Sequence, residues 1–314
     1  MNRPIDNPRR DRVAVCLAAY NGKPWLEEQL QSILAQEDVD VTVFISVDVS
    51  TDGTEALVDA LAGKEPRLCV FPHGQRFGGA AGNFFRLLRE VDVSGFDYVS
   101  FADQDDVWFA DKLSRACATL RSRGAAAYSS NVTAFWPDGR ELLVNKAQPQ
   151  RRWDFLFESA GPGCTFVMEA ELIRRFKEAF ATRWDALADV ALHDWFLYAF
   201  ARAHGYRWFI DPRPGMRYRQ HAANQFGVNR GMRANLDRLH KVMKGWLLGQ
   251  ARLIAGLVGL GADPFVRRWS DGNRAGVFWL ACHAMQCRRR FRDQVFFFVS
   301  LIILAVAGRP CVER

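Results

Sequence analysis

Short apolar runs alternate with amphipathic stretches over the first 125 residues of the 314-residue chain. Runs rich in β-branched residues predict buried strands at 12–19, 41–48, 68–72 and 97–103. Apolar residues at helical spacing between them predict helices at 24–36, 50–63 and 80–91. Strands that alternate with helices in this way predict an α/β fold, with a largely parallel sheet covered by helices on both faces.

From residue 126 onward the pattern is less regular. Short strands are predicted within 125–136, 164–168, 206–212 and 216–221, and helices at 171–182 and 193–204. A basic amphipathic helix at 235–260 and an apolar segment at 295–308 follow. We therefore divide the chain into a flexible tail (1–11), a catalytic domain (12–230, with halves 12–125 and 126–230) and a helical C-terminal region (231–314).

The positive charge of the chain is concentrated in that C-terminal region. Residues 231–314 carry 14 Lys and Arg against 5 Asp and Glu, a net charge of +9, whereas residues 1–230 have a net charge of −2. The apolar segment would cover about 21 Å as a helix, less than the roughly 30 Å of a bilayer core. With the basic run 287–294 before it, it predicts a half-buried anchor on an anionic membrane surface. A core helix or a homo-oligomer contact is the alternative.

Other features of the composition indicate the cellular compartment in which the protein works. The seven cysteines are scattered without CxxC pairs, which indicates a reducing compartment and not a disulfide framework. The N-terminus has no apolar signal-peptide core. Together with the basic C-terminal region, these features predict a cytoplasmic protein, peripheral on the inner face of the membrane. No nucleic-acid-reading module is visible, so nucleic acid is not expected as a partner.

Chemistry-bearing residues follow the predicted strands. The sequences AAYNG, VDVSTDG and ADQDD each come at a strand end, and such ends meet at one crevice. Asp103 and Asp105, one residue apart, can aim at one point and suit Mg²⁺ or Mn²⁺ shared with a diphosphate. The alternative is a solvated acidic turn in which Asp106 caps a helix beginning near Val107.

Seven motifs together resemble a known family. They are AAYNG (18–22), DVSTDGT (48–54), FGGAAGNF (77–84), FADQDDVW (101–108), GPGCTFVM (161–168), HDWFL (193–197) and YRQHAAN (218–224). Their order and spacing over residues 12–225 resemble the family 2 glycosyltransferases of the Rossmann-like GT-A fold, especially the rhamnosyltransferase-like branch of bacterial surface-polysaccharide synthesis. The resemblance implies an inverting transferase that moves a sugar from a nucleotide sugar, dTDP-L-rhamnose or a UDP-hexose, to a saccharide acceptor. It also implies a divalent cation and an acceptor carried on polyprenyl diphosphate, as in O-antigen synthesis.

The resemblance also assigns residues to the donor site. It implies that the nucleotide sugar is bound by Ala19, Tyr20, Asn21, Asp48, Arg76, Gly79, Asn83, Asp103 and Gln104, and that the cation is held by Asp103, Asp105 and His221. The family usually has a second acidic residue beside Asp48, where this chain has Val47. Asp48 alone would then accept hydrogen bonds from the base or the ribose.

On the acceptor side, the resemblance makes Asp194 the general base, with His193 as the rival. A carboxylate beside aromatic surface can have a raised pKa, which suits a base; the alternative for Asp194 is compensation of a helix dipole. Acceptor or phosphate contacts are expected from Gly163, Cys164, His193, Trp195 and Arg219, with Cys164 packed and not nucleophilic. Ala222 stands where the family often has glycine.

Two other functions stay open on the sequence alone. A nucleotidyltransferase could also use paired aspartates on such a sheet, although a basic glycine-rich loop is missing after the first strand. The substitution at Val47 is also compatible with a nucleotide-binding or scaffold protein that no longer catalyses transfer.

Overall fold

The computed structural model describes residues 9–221 and 245–307. Its main sheet has seven strands in the order β10-β6-β9-β4-β1-β2-β3. These strands are β1 (Asp11–Ala19), β2 (Val39–Val47), β3 (Leu68–Val70), β4 (Tyr98–Ala102), β6 (Ala127–Ser130), β9 (Val167–Glu169) and β10 (Trp208–Asp211). Only β9 runs antiparallel to its neighbours, β4 and β6, so the predicted, mostly parallel sheet is confirmed.

A second, four-stranded sheet has the order β5-β11-β7-β8. It comprises β5 (Val107–Trp108), β7 (Val132–Phe135), β8 (Glu141–Val144) and β11 (Met216–Arg219). Strand β11 pairs antiparallel with β5, although about a hundred residues separate the two strands in the sequence. This pairing brings β11 close to the loop 103–106, which directly precedes β5. We call residues 103–106 the acidic loop.

Helices cover both faces of the main sheet. In the catalytic part they are α1 (Leu26–Leu34), α2 (Thr54–Ala62), α3 (Ala80–Glu90), α4 (Lys112–Arg123), α5 (Ala170–Phe180) and α6 (His193–Ala203). The inward side chains of β1 alternate between two apolar cores, with Val13 and Val15 in one and Ala14 and Cys16 in the other. This alternation is what a strand buried on both faces requires.

The acidic loop differs from the capped helix start considered above. Val107 and Trp108 form β5, and α4 begins only at Lys112. Asp106 is therefore not a helix cap; it is fully buried and its Oδ1 accepts a hydrogen bond from Arg219 N at 3.1 Å. Pairing of β5 with β11 outweighs the local preference of this segment for a helix start.

The C-terminal helices pack on the catalytic part and share one of its cores. They are α7 (Trp246–Leu257), α8 (Pro264–Trp269), α9 (Arg274–Cys282), α10 (Ala284–Cys287) and α11 (Phe291–Ala307). Phe297 of α11 lies 5.2 Å from Phe157, and Phe265 stacks on Trp153 at 4.4 Å between ring centres. Of the predicted single helix 235–260, the described part is α7, whose N-cap Gly245 has a φ of +74°; residues 235–244 lie outside the described ranges.

Helix α11 has two unlike faces. Phe297, Leu301 and Leu304 are buried in the core, as expected of the core-helix alternative. The opposite face exposes a stripe of large apolar residues: Phe291, Val295, Phe298, Val299, Ile303 and Val306. We call this set the apolar stripe. Within 9–221 and 245–307, no helix has the length and apolar character needed to cross a membrane.

Candidate active site

A cleft of about 830 Å³ opens at the carboxyl ends of β1, β2 and β4, the edge where parallel α/β sheets bind ligands. The N-termini of α3 and α6 also contribute to its wall. It brings together most of the residues predicted for the site: Ala19, Tyr20, Asp48, Arg76, Gly79, Asn83, Asp103, Gln104, Asp105, Gly163, His193 and Asp194.

Gln104 joins the end of β1 to the acidic loop. Its side-chain amide accepts a hydrogen bond from Tyr20 N at 2.7 Å and donates one to Tyr20 O at 2.8 Å. Gly22 permits this approach, because a Cβ there would lie 2.3 Å from Gln104 Oε1. The backbone of Tyr20 is therefore fixed, while the residue as a whole stays 55% exposed beside the cleft.

Asp48 lies at the end of β2 and is held by backbone donors. Its Oδ1 accepts hydrogen bonds from Val49 N at 2.8 Å and from Phe77 N at 3.2 Å. The second bond ties the glycine-containing loop before α3 to β2. Asn83 on α3 donates from Nδ2 to Ser46 O at 3.0 Å, so its amide secures the floor of the cleft.

The acidic loop concentrates negative charge in a buried setting. Burial and the neighbouring Asp105 raise the pKa of Asp103 to about 7, and burial also raises the pKa of Asp105 and of Asp106. Lys112 is buried near Asp106, with its Nζ 3.2 Å from the centre of the Trp108 ring. Burial lowers the pKa of Lys112 to about 7, so this cation compensates only part of the charge.

The residues after β11 lie against the acidic loop. Arg219 donates from Nε to Asp105 O at 2.8 Å. His221 Nε2 lies 2.8 Å from Asp105 Oδ2, and the His221 ring stacks on Trp25 with 4.0 Å between centres. His221 thus has a fixed orientation next to one of the carboxylates with which it was predicted to bind a cation.

The residues at this loop fit a divalent cation. Carboxylate oxygens with an imidazole beside them are ligands that Mg²⁺ and Mn²⁺ accept. Burial, which raises the pKa of all three carboxyl groups, makes their charged forms dependent on a positive partner such as a cation. One oxygen each of Asp103 and Asp106 and the sulfur of Cys164 lie within 4.8 Å of one another. Burial raises the pKa of the Cys164 thiol well above its ordinary value, so we favour the carboxylates over the sulfur as ligands.

Asp194 lies in the first turn of α6 and faces the cleft. Its Oδ1 accepts a hydrogen bond from Trp195 N at 2.7 Å, and the Ser159 side chain also bonds to the carboxylate. Burial raises the pKa of Asp194 to about 6. This value leaves the carboxylate ionised near neutral pH and makes it a stronger base than a solvated aspartate.

His193, the rival base, is poorly suited to that role. Its ring stacks on Phe84 with 3.9 Å between centres, and burial lowers the pKa of His193 to about 3. Gly163 presses against the same turn, since a Cβ there would lie 2.8 Å from His193 Nε2 and 3.1 Å from Asp194 Cβ. The ring of His193 therefore acts as packing that positions the neighbouring carboxylate.

A few predicted site residues do not line the cleft: Asn21, Cys164, Trp195, Arg219 and His221. Asn21 bonds through Oδ1 to Thr51 N at 2.8 Å and shapes the loop before α2. Cys164 is fully buried, as its packed role predicted, and Trp195 is a core residue 2% exposed. Any acceptor contact by these two is therefore indirect.

Sequence reasoning missed the basic side of the cleft, which is lined by Lys146, Arg288, Arg290 and Arg292. The arginine run was visible in the sequence but was assigned to membrane headgroups. Its position in the cleft depends on contacts distant in sequence: Arg288 donates to Phe157 O at 3.0 Å, and Gln286 O accepts from Trp153 N at 2.9 Å.

The mixed sheet, the acidic loop at its carboxyl edge and Asp194 in the first turn of α6 are the arrangement that the resemblance to GT-A glycosyltransferases implied. The sequence profile described as "Glycosyl transferase family 2" matches residues 14–176, and the chain belongs to this family. This confirms the resemblance on which the site residues were chosen.

Comparison with similar proteins indicates which kind of family 2 glycosyltransferase the chain resembles. The chain is 42% identical over 288 residues to the dTDP-rhamnosyl transferase RfbG of Shigella flexneri, covering 91% of this chain and 99% of that protein. It is 22% identical over 175 residues to the Escherichia coli UDP-Glc:alpha-D-GlcNAc-diphosphoundecaprenol beta-1,3-glucosyltransferase WfgD, covering 55% and 66% of the two chains. The mannosyltransferase PcManGT of Pyrobaculum calidifontis, solved with GDP-Man and Mn²⁺, shares the fold at a TM-score of 0.51 and 20% identity, covering 96% of this chain and 89% of its own. The chain is thus a rhamnosyltransferase-like member of the family.

Proposed function

We propose that the protein transfers rhamnose from dTDP-L-rhamnose to a saccharide hydroxyl, with inversion at the anomeric carbon, during synthesis of a bacterial surface polysaccharide. The acceptor saccharide is carried on polyprenyl diphosphate. Similarity to RfbG over almost the whole of both chains supports the donor, and WfgD supports the type of acceptor. A UDP-hexose is the second candidate donor, from the same resemblance.

The observation that carries this proposal is the position of Asp194. Its carboxylate lies in the same cleft as Asp48 and Asp103, it is half-buried, and its pKa is raised to about 6. In the proposed reaction Asp194 takes the proton of the acceptor hydroxyl as that oxygen bonds to the anomeric carbon. The bond from this carbon to the diphosphate oxygen breaks on the opposite face, which inverts the configuration.

The donor nucleotide sugar lies along the cleft wall that carries Tyr20, Asp48 and Arg76. Asp48 accepts hydrogen bonds from the base or ribose through the oxygen that no described residue occupies, and the exposed ring of Tyr20 covers the nucleotide. Arg76, which also lines the cleft, faces the diphosphate. Asp103 and Asp105, with His221 beside them, would hold Mg²⁺ or Mn²⁺. When bound, that ion supplies positive charge that stabilises the departing diphosphate.

We also propose that the protein works as a peripheral protein on the cytoplasmic face of the membrane. The apolar stripe of α11 supports this proposal, because it is exposed and begins between Arg290 and Arg292. An amphipathic surface of this composition binds anionic bilayers through apolar contact and charge. Deleting α11 would not test this idea cleanly, since Phe297, Leu301 and Leu304 belong to the core.

The activity is tested by Asp194→Asn, assayed for sugar transfer from dTDP-rhamnose and, in parallel, for dTDP affinity by calorimetry. Loss of a general base lowers the rate by about 10²–10⁴-fold, while the affinity for dTDP is expected to stay unchanged. Asp189→Asn is the matched control, because Asp189 is an exposed carboxylate just before α6 that does not line the cleft. A wild-type rate in Asp194→Asn contradicts the proposed mechanism.

A further inference from the structure

The cleft carries an excess of positive charge on the side of Asp194 away from the acidic loop. Asp194 interacts electrostatically with Asp103 and also with Lys146. Lys146 in turn interacts with Glu158 and, less strongly, with Arg288, and both lie with it in the cleft wall. The carboxylate that receives the acceptor proton thus stands between an acidic donor side and a basic side.

The cations of the basic side are poorly compensated within the described ranges. Lys146 Nζ and the Arg290 guanidinium make no hydrogen bond or ion pair with any residue in 9–221 or 245–307. Among the described residues, the ion-pair partner of Arg292 is Asp293, at 3.8 Å. Arg288 has a buried Nε with no partner among the described residues, and its Nη2 lies 3.8 Å from Glu158.

Two carboxylates on this side, Glu158 and Asp293, offset part of the charge of the four cations, and Glu158 is shared with Arg289. Arg289 N donates to Glu158 Oε1 at 2.6 Å, and its buried guanidinium pairs with Asp154 at 3.0 Å. Guanidinium and ammonium groups that converge on one cleft and outnumber the carboxylates beside them are suited to phosphate oxygens, which accept several charge-assisted hydrogen bonds at once.

We propose that Lys146, Arg288, Arg290 and Arg292 form a subsite for the diphosphate of the lipid-linked acceptor, separate from the site of the donor diphosphate. This inference rests on the proposed function and specifies how its acceptor is recognised. The acceptor hydroxyl must lie at Asp194, so the remainder of the acceptor leads away from the acidic loop and onto these cations. The apolar stripe starts at the same point of the chain, where it can receive the hydrocarbon that follows the diphosphate.

The test uses the full-length protein with dTDP and Mn²⁺ saturating the donor side. Binding of farnesyl diphosphate, inorganic pyrophosphate and farnesol is measured by calorimetry for wild type, Arg290→Gln/Arg292→Gln and, as a matched control, Arg267→Gln/Arg268→Gln. The control pair is exposed on α8 and does not line the cleft. Each charged hydrogen bond is worth about 1.5–3 kcal/mol, so the first variant is expected to bind farnesyl diphosphate at least about tenfold more weakly. The control is expected to match wild type.

The outcomes separate this subsite from the function beneath it. Weaker farnesyl diphosphate binding with unchanged dTDP affinity supports the subsite. A parallel loss of dTDP affinity overturns it, because the arginines would then serve the donor. Equal farnesyl diphosphate affinity in the variant and wild type also overturns it, while leaving the transferase activity standing. Pyrophosphate that binds as tightly as farnesyl diphosphate overturns the link to a lipid carrier, whereas failure of wild type to bind dTDP at all overturns the proposed function itself.

Discussion

The contact between Gly163 and the first turn of α6 makes the sharpest prediction about catalysis. In Gly163→Ala, the new methyl group would lie 2.8 Å from His193 Nε2 and 3.1 Å from Asp194 Cβ. Ordinary contacts between such atoms are about 3.5 Å or more. His193 cannot swing aside, because its ring is held between Phe84 and Phe101. Relief therefore requires the turn itself to move, by roughly half an ångström.

That movement sets the size of the effect. Inserting a methyl group into a packed site costs about 1–3 kcal/mol, which corresponds to a fall in Tm of about 1.5 °C per kcal/mol for a chain of this size. Misplacing a catalytic group by about 1 Å costs about 100-fold in rate, so half that displacement is expected to cost about tenfold in kcat. The donor KM is expected to stay within about twofold, since Gly163 packs on the acceptor side.

The assay is steady-state transfer from dTDP-rhamnose, with Tm measured on the same preparations. Gly249→Ala is the control, because it lies within α7 and a Cβ there has open space. Replacing a helical glycine by alanine is expected to stabilise the protein by up to about 1 kcal/mol. If Gly163→Ala keeps the wild-type kcat and Tm, Gly163 does not position Asp194 and the packing account is wrong.

Four further predictions concern Asp194, the apolar stripe and Arg289. Burial raises the Asp194 pKa to about 6, although Ser159 and Lys146 lower it, so kcat/KM is expected to fall about tenfold per unit as pH drops below 6. Because this folded-state pKa lies above the unfolded value of about 4, the ionised carboxylate destabilises the fold increasingly from about pH 4 to pH 6 and fully above pH 6. Asp194→Asn is therefore expected to gain Tm over wild type at pH 8 but not at pH 4, and a pH-independent difference would refute this. Phe298→Ser/Val299→Ser in the apolar stripe is expected to lower co-sedimentation with phosphatidylglycerol vesicles, relative to Met285→Ser outside it, and equal sedimentation would reject the membrane proposal. Arg289→Leu removes one of two arginines that pair with the buried Asp154 and leaves Arg202 in place. This change is expected to cost about 1.5–3 kcal/mol by denaturant unfolding, against no change for the exposed Arg274→Leu.

The order of the main strands and helices could be predicted because it depends on the local spacing of apolar residues. Strands β1, β2 and β4 and helices α3 and α6 lie within a few residues of the predicted ranges. The strand ends that carry Asp48 and Asp103 were therefore expected at one crevice, as found. The proposed role of Asp194 came from the resemblance to the family, because the spacing of apolar residues carries no information about catalysis.

What could not be predicted depends on contacts between distant segments. The local sequence favoured a helix start at Val107. The structure has β5 there instead, a two-residue strand that forms because the distant strand β11 pairs with it. From the sequence, Lys112 is expected to be an ordinary exposed lysine on a helix. The tertiary fold instead buries it beneath the acidic loop. Arg288, Arg290 and Arg292 were interpreted as a membrane flank, because their place in the cleft depends on contacts of Arg288 and Arg289 with the distant segment 153–159.

The bond between Gln104 and the backbone of Tyr20 has a consequence for how related sequences can diverge. A side chain at position 22 would occupy the space of the Gln104 amide, so position 22 can enlarge only if position 104 becomes shorter. The two positions are therefore expected to co-vary among homologues. A Gly22→Ala/Gln104→Ala pair should be less damaging than the sum of its single changes.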